Sequence, residues 1–161
     1  MTWKICVMNA DGSAQHRLTG GEFFDAYPTW SPDGRTIAFT SGDDKIWVAN
    51  ADGSGQQELT QAAWGDPLTW SPDGSKIAFD CIRTSPDVRW AQTQICVVNA
   101  DGSGRRTLTR NGENYQPTWS PDGSEIAFAR NLNPPVGEPV PPAKEGIWVM
   151  NADGSEQTKL T

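Results

Sequence analysis

The sequence predicts an all-β chain built from repeated four-stranded antiparallel units, and three observations lead there. The phrase WSPDG occurs at Trp30–Gly34, Trp70–Gly74 and Trp119–Gly123. A second phrase, NADGS, occurs at Asn9–Ser13, Asn50–Ser54, Asn99–Ser103 and Asn151–Ser155, in strict alternation with the first. Between the phrases lie short runs rich in Ile, Val, Phe and Trp, bounded by Asp-Gly, which is the pattern of strands joined by tight hairpins rather than of helices.

The chain opens on a strand through Ile5-Cys6-Val7, turns at NADGS and ends a second strand at Leu18-Thr19. Each later unit begins with an extended stretch ending in Trp-Ser-Pro, strand A. It turns through Pro-Asp-Gly into strand B, which carries Ile37-Ala38-Phe39, Ile77-Ala78-Phe79 or Ile126-Ala127-Phe128. After a loop of variable length comes strand C, with Ile46-Trp47-Val48, Ile95-Cys96-Val97 or Ile147-Trp148-Val149, and the NADGS turn leads into a short strand D ending in Leu-Thr. Both turns have a mechanism: Pro presets φ near −65° at the first central position, and Gly takes the left-handed conformation that closes the hairpin. NADGS does the same with Ala in place of Pro. The apolar triplets of strand B do not alternate, so that strand is expected to be covered on both faces.

Read this way the chain holds fourteen strands in seven hairpins: a leading C–D half unit (1–20) and complete units at 21–60, 61–109 and 110–161. The NADGS copies recur every 41 to 52 residues, the growth coming from longer B–C loops. Four strands per unit at such a period is the signature of a β-propeller, whose blades bury their faces by stacking on neighbours. The expected architecture is therefore a partial ring of three blades and a C–D hairpin, completed by further blades or further copies.

Composition agrees and excludes other classes. With 16 Gly, 12 Pro and 36% hydrophobic residues in 161, the chain suits short elements and many turns. No apolar run is long enough to span a membrane, and MTWKICVMNADG has no signal-peptide pattern. The net charge of −7 is carried by turn aspartates, since Asp11, Asp33, Asp52, Asp73, Asp101, Asp122 and Asp153 all lie in the two phrases. A clustered basic footprint for nucleic acid is missing. Cys6, Cys81 and Cys96 form no CxxC; Cys6 and Cys96 share a packing position with Trp47 and Trp148, and all three are expected as free thiols. Cys81 and Cys96 are placed as diagonal neighbours, poorly disposed for a disulfide.

The combined pattern P-x-W-S-P-D-G-x-x-I-A-F, I-x-V-x-N-A-D-G-S and L-T resembles the Pro-Asp blade repeat of TolB-like β-propellers over essentially the whole chain. That resemblance implies a periplasmic or extracytoplasmic location. It also implies a role either as a binding scaffold or as the propeller half of a peptidase or lyase. A closed ring of that kind carries six to eight blades, so the three here, behind a half blade, are read as a fragment of a longer array. Apolar surface is expected bare at both ends, around Ile5 and Val7 and around Ile147 and Val149.

Function is expected on the face carrying the variable D–A and B–C loops. Its loop aromatics Phe23, Phe24, Tyr27, Trp64, Trp90 and Tyr115, with Arg83, Arg89, Arg110 and Arg130, are the residue types that anchor protein interfaces. Asp25, Asp66 and Asn114 precede the strand A tryptophans by four or five residues and are candidates to offer oxygens to a cation at the channel mouth. The Pro-rich stretch Asn133–Pro142 reads as a stiff surface loop. Catalytic chemistry has little to work with: His16 is the single histidine, and Gly102-Ser103-Gly104 has no strand-turn-helix context. The expectation is a non-catalytic scaffold for a protein or peptide partner, needing no cofactor. The alternative is the propeller portion of a larger hydrolase, peptidase or lyase whose catalytic domain lies outside this chain.

Overall fold

The computed structural model describes residues 3–42, 44–62, 67–83, 92–131 and 145–161, without the side chain of Arg83. The described residues form fourteen strands and no helix. β1 (Cys6–Val7) and β2 (His16–Arg17) make the leading hairpin. The first blade is β3 (Asp25–Trp30), β4 (Thr36–Ser41), β5 (Lys45–Asn50) and β6 (Gln57–Gln61). The second is β7 (Leu68–Trp70), β8 (Lys76–Arg83), β9 (Gln92–Asn99) and β10 (Arg106–Thr107). The third is β11 (Glu113–Trp119), β12 (Glu125–Asn131), β13 (Gly146–Asn151) and β14 (Thr158–Lys159). Each sheet runs in chain order and every pairing is antiparallel, so each blade is a simple meander.

The two phrases build the hairpin turns, and their aspartates explain the acidity. In the first WSPDG copy, Asp33 Oδ1 accepts from Ser31 Oγ (2.6 Å) and from Arg35 N–H (3.1 Å), while Gly34 N–H reaches the Ser31 carbonyl. In NADGS, Asp52 Oδ1 accepts from both the hydroxyl and the N–H of Ser54, and Asn50 Nδ2 donates to the same hydroxyl. Hydrogen bonds that prefer the charged form hold all seven turn carboxyls below their ordinary range, to about 2 at Asp73 and Asp122.

The core lies between the units, not within them. Ile5 and Leu18 of the hairpin pack with Ile37, Phe39 and Ala49 of the first blade. Ala38, Ile46, Val48 and Leu59 of that blade pack with Leu68, Trp70, Ile77, Phe79, Cys96 and Val98 of the second. The second joins the third through Ala78, Ile95, Val97 and Leu108 against Ile126, Phe128 and Met150. Strand B thus has a large-small-large logic: Ile and Phe press into the preceding unit, and the flat Ala between them receives the Ile and Phe of the next. Ala38 and Ala78 are fully buried by that traffic, while Ala127 on the last blade is only half-buried.

Two expectations need correction. Ile5 is buried and Val7 half-buried, because both face the first blade; the side of the hairpin left open carries Cys6 and Met8. Cys81 and Cys96 are joined in a disulfide rather than free, leaving Cys6 as the free and exposed cysteine. The register pairs Phe79 with Cys96 and Cys81 with Gln94, so the two cysteines are diagonal neighbours as expected. The twist of the ribbon brings their Cα atoms to 5.8 Å, inside bridging range, where an untwisted diagonal would lie at about 7–8 Å.

Candidate functional site

The face carrying the D–A and B–C loops presents an aromatic cluster on the first blade. Trp3, Phe23, Phe24 and Tyr27 are all exposed. Trp3, Phe24 and Tyr27, with Ala26, Thr40, Ser41 and Gly42, line a mainly apolar hollow of about 390 Å³. The rings of Trp3 and Phe24 meet edge to face with centroids 6.4 Å apart, a favoured arrangement for aromatic pairs.

A buried polar network sets this cluster in place. Asp25 is enclosed at the joint between hairpin and blade, where its carboxylate accepts from Lys4 Nζ (3.0 Å), Thr19 Oγ1 (2.7 Å) and Ser41 Oγ (3.1 Å). Lys4 Nζ also donates to the Gly20 and Phe23 carbonyls, tying down the loop that carries the phenylalanines. Asp25 N–H donates to the Trp3 carbonyl (3.1 Å), and Gly42 N–H to the Phe24 carbonyl (2.6 Å). A Cβ at Gly42 would sit 3.3 Å from Phe24 N, so the absent side chain is what lets the two segments lie close. Tyr27 sits at a bulge between Ala26 and Thr29 with φ 51°, a left-handed conformation unusual for a non-glycine residue, which turns the ring outward.

A related network recurs at the third blade, with an amide pair in place of the ion pair and Arg130 in the register position of Ser41. Asn114 Nδ2 donates to Gln94 Oε1 (3.1 Å), Gln94 Oε1 also accepts from Thr109 Oγ1 (2.8 Å), and Asn114 Oδ1 accepts from Arg130 Nε (2.6 Å). Arg130 is therefore enclosed, 6% exposed, its guanidinium over the rings of Trp148 (4.4 Å) and Phe128 (5.0 Å) and donating to Gln157. Burial draws its pKa down. As a surface anchor for a partner Arg130 is corrected: its charge is spent inside the joint. Tyr115 is half-buried on β11 rather than in a loop, and donates to Glu113 Oε2 (2.7 Å); burial and that carboxylate push its phenol up to about 12. Tyr27 likewise lies in a strand, β3.

Asp25 and Asn114 are thus held in separate networks, their oxygens taken by protein donors, and they do not form a common cation cradle. Trp64, Asp66, Trp90, Arg89 and Asn133–Pro142 lie outside the described residues. Trp3 was not among the residues the sequence singled out, yet a signal existed. It occupies the position before the strand C lead-in where the other units carry Asp44, Thr93 and Glu145, so a tryptophan stands where every copy is polar. A larger hollow of about 610 Å³ opens on the turn face between the first two blades, but its Asp33 and Asp73 carboxylates are already committed to their own turns.

Comparison with known proteins agrees with this architecture. The family model of the TolB beta propeller domain matches residues 2–161. No curated protein matches the sequence. Among solved structures, TolB from Acinetobacter baumannii superposes with a TM-score of 0.74 at 17% identity, covering 98% of this chain and 37% of that one. Oligogalacturonate lyase from Vibrio parahaemolyticus gives 0.75 at 16%, with 97% and 45% covered. The acylaminoacyl peptidase of Pyrococcus horikoshii gives 0.63 at 18%, with 97% and 27% covered. The chain therefore spans less than half the length of each of these, and the likeness is one of fold.

Proposed function

The chain belongs to the TolB beta propeller family, and we propose that it is a non-catalytic scaffold that binds a protein or peptide through the aromatic face of its first blade. One observation carries the reading: four exposed aromatics, three of them around one apolar hollow, on a base fixed by a buried network. Exposed aromatics on a rigid support are what interface anchors require, because little conformational entropy is lost on binding. Tyr27 and Trp3 also keep polar tips that can pair with a peptide backbone.

The Cys81–Cys96 disulfide supports an extracytoplasmic site of action, since such bridges persist in oxidising compartments. The propeller-bearing lyase and peptidase among the structural neighbours keep open a second reading, in which this chain is the propeller part of a larger enzyme. The aromatic face favours the first.

The test is selection from a displayed peptide library on the immobilised chain, with hits measured by calorimetry against Trp3→Ala, Phe24→Ala and Tyr27→Ala. Hits are expected to lose at least about tenfold in affinity on each variant, the size of a typical interface anchor. A set of binders indifferent to all three substitutions would refute the proposal.

A further inference from the structure

Asn111 and Gly112, on the loop from β10 to β11, form the single Asn-Gly pair in the chain. Asparagine is a thermolabile residue, and a glycine after it presents a backbone nitrogen that no Cβ crowds. Asn111 is exposed, and Gly112 turns the chain with φ 70°. Among the described residues, neither the Asn111 side chain nor the Gly112 N–H has a hydrogen-bond partner.

Every comparable step in the two repeated phrases is tied down. In all seven Asp-Gly turns the glycine N–H donates to the carbonyl three residues back. The aspartate of each turn accepts from the N–H two residues on, so neither group is left to meet the other. The four NADGS asparagines are followed by alanine, and each donates through Nδ2 to a serine hydroxyl.

The Asn111–Gly112 step also holds a buried structure from outside. The Gly112 carbonyl accepts from Gln94 Nε2 (2.7 Å) and from Asn114 Nδ2 (3.3 Å), and the Asn111 carbonyl accepts from Asn114 Nδ2 (3.1 Å). Gln94 and Asn114 are fully buried, and Asn114 in turn accepts from Arg130. The polar network at the joint between the second and third blades thus hangs on two carbonyls of an exposed, reactive pair.

We propose that Asn111 is a spontaneous modification site whose conversion loosens this joint as the protein ages. The Gly112 nitrogen bonds to Asn111 Cγ, and its proton leaves with the side-chain amide as ammonia. Water then opens the resulting five-membered imide at either carbonyl, giving aspartate or isoaspartate. In the isoaspartate the main chain runs through the former side chain and is longer by one carbon–carbon bond, about 1.5 Å. The carbonyl that received Asn114 becomes a carboxylate branch, and the Gly112 carbonyl moves off Gln94. Buried amides that lose their acceptors are destabilising. The aspartate product keeps the backbone and adds only a charge in an exposed place.

Peptide mapping by mass spectrometry, after incubation of the chain over days at mildly alkaline pH, tests this. Asn111 is expected to convert before every other asparagine and before any Asp-Gly step. Conversion should quicken as pH rises, because the attacking nitrogen must give up its proton. The separated isoaspartyl form should melt lower than the fresh chain and exchange the amides of β9 and β11 faster. Asn111→Asp, which copies the charge without the longer backbone, should melt like the fresh parent. Asn111→Gln, whose ring closure needs a larger imide, should keep its melting temperature through the same incubation. Conversion elsewhere first, an isoaspartyl form as stable as the fresh chain, or an Asn111→Gln chain that ages like the parent would each overturn the proposal.

Discussion

At the scale of single residues, the joints between units show one design in two chemistries. Lys4 and Asp25 form a buried ion pair at the first joint, and Gln94 with Asn114 forms a neutral pair in the equivalent place at the third. Removing one member of a buried pair strands the other, which typically costs about 3–5 kcal/mol. Asp25→Ala is therefore expected to lower stability by that order. The double change Lys4→Gln with Asp25→Asn, which copies only the amide pair of the third joint, should be milder than either single change to alanine, as urea denaturation would report. The same scale holds the disulfide. Thiol titration of the denatured, unreduced chain should find one thiol, Cys6, and three after reduction. Replacing both bridged cysteines by alanine should cost about 3 kcal/mol, the loop-closure value for a 15-residue separation.

At the scale of the element, the NADGS hairpin offers a controlled comparison. Gly12 and Gly53 share sequence and backbone conformation, and differ only in that Gly53 lies on Leu18. Gly12→Ala should cost about 1 kcal/mol for the left-handed backbone alone. Gly53→Ala carries that strain plus a displaced inter-unit contact, so its melting temperature should fall visibly further. Equal losses would mean that the contact does not matter. The turns also make the fold acid-sensitive. Their carboxyls titrate lower in the folded chain than in the unfolded one, so the unfolded state binds protons first as pH falls. The stabilisation is complete above pH about 4 and is lost toward pH about 2. The urea midpoint is expected to decline across that window, and Asp73→Asn should shallow the decline while lowering the midpoint at neutral pH.

At the scale of the whole molecule, burial follows position in the row. The second blade is covered on both sides, and Ile77, Ala78, Phe79, Ile95, Cys96, Val97 and Val98 are all buried. The last blade is covered on one side only, with Ala127 and Val149 half-buried and Ile147 exposed. Amide hydrogen exchange in β8 and β9 should therefore be slowest, and exchange in β12 and β13 faster, because local opening of an end unit uncovers less apolar surface. Uniform protection across the blades would show that the chain opens only as one body.

The repeat by itself determined the strands of the described residues and the hairpins that join them. The reason is local: Pro-Asp-Gly and Ala-Asp-Gly each fix a turn within a few residues, and the intervening runs are too short and too β-branched for anything but strands. The period then dictated a row of stacked blades. What the sequence left open was everything that depends on which unit faces which. Ile5 and Cys6 are adjacent, and only the direction of stacking decided that the first is buried and the second open. Cys81 and Cys96 were correctly placed on a diagonal, but the twist that brings them to bonding distance belongs to the sheet. Arg130 reads in sequence as a surface cation, and only the approach of Asn114, Trp148 and Gln157 from three different segments showed it enclosed. Trp3 stood outside the repeat's own logic, and it took the Asp25 network, joining four segments in space, to set it beside Phe24 and Tyr27.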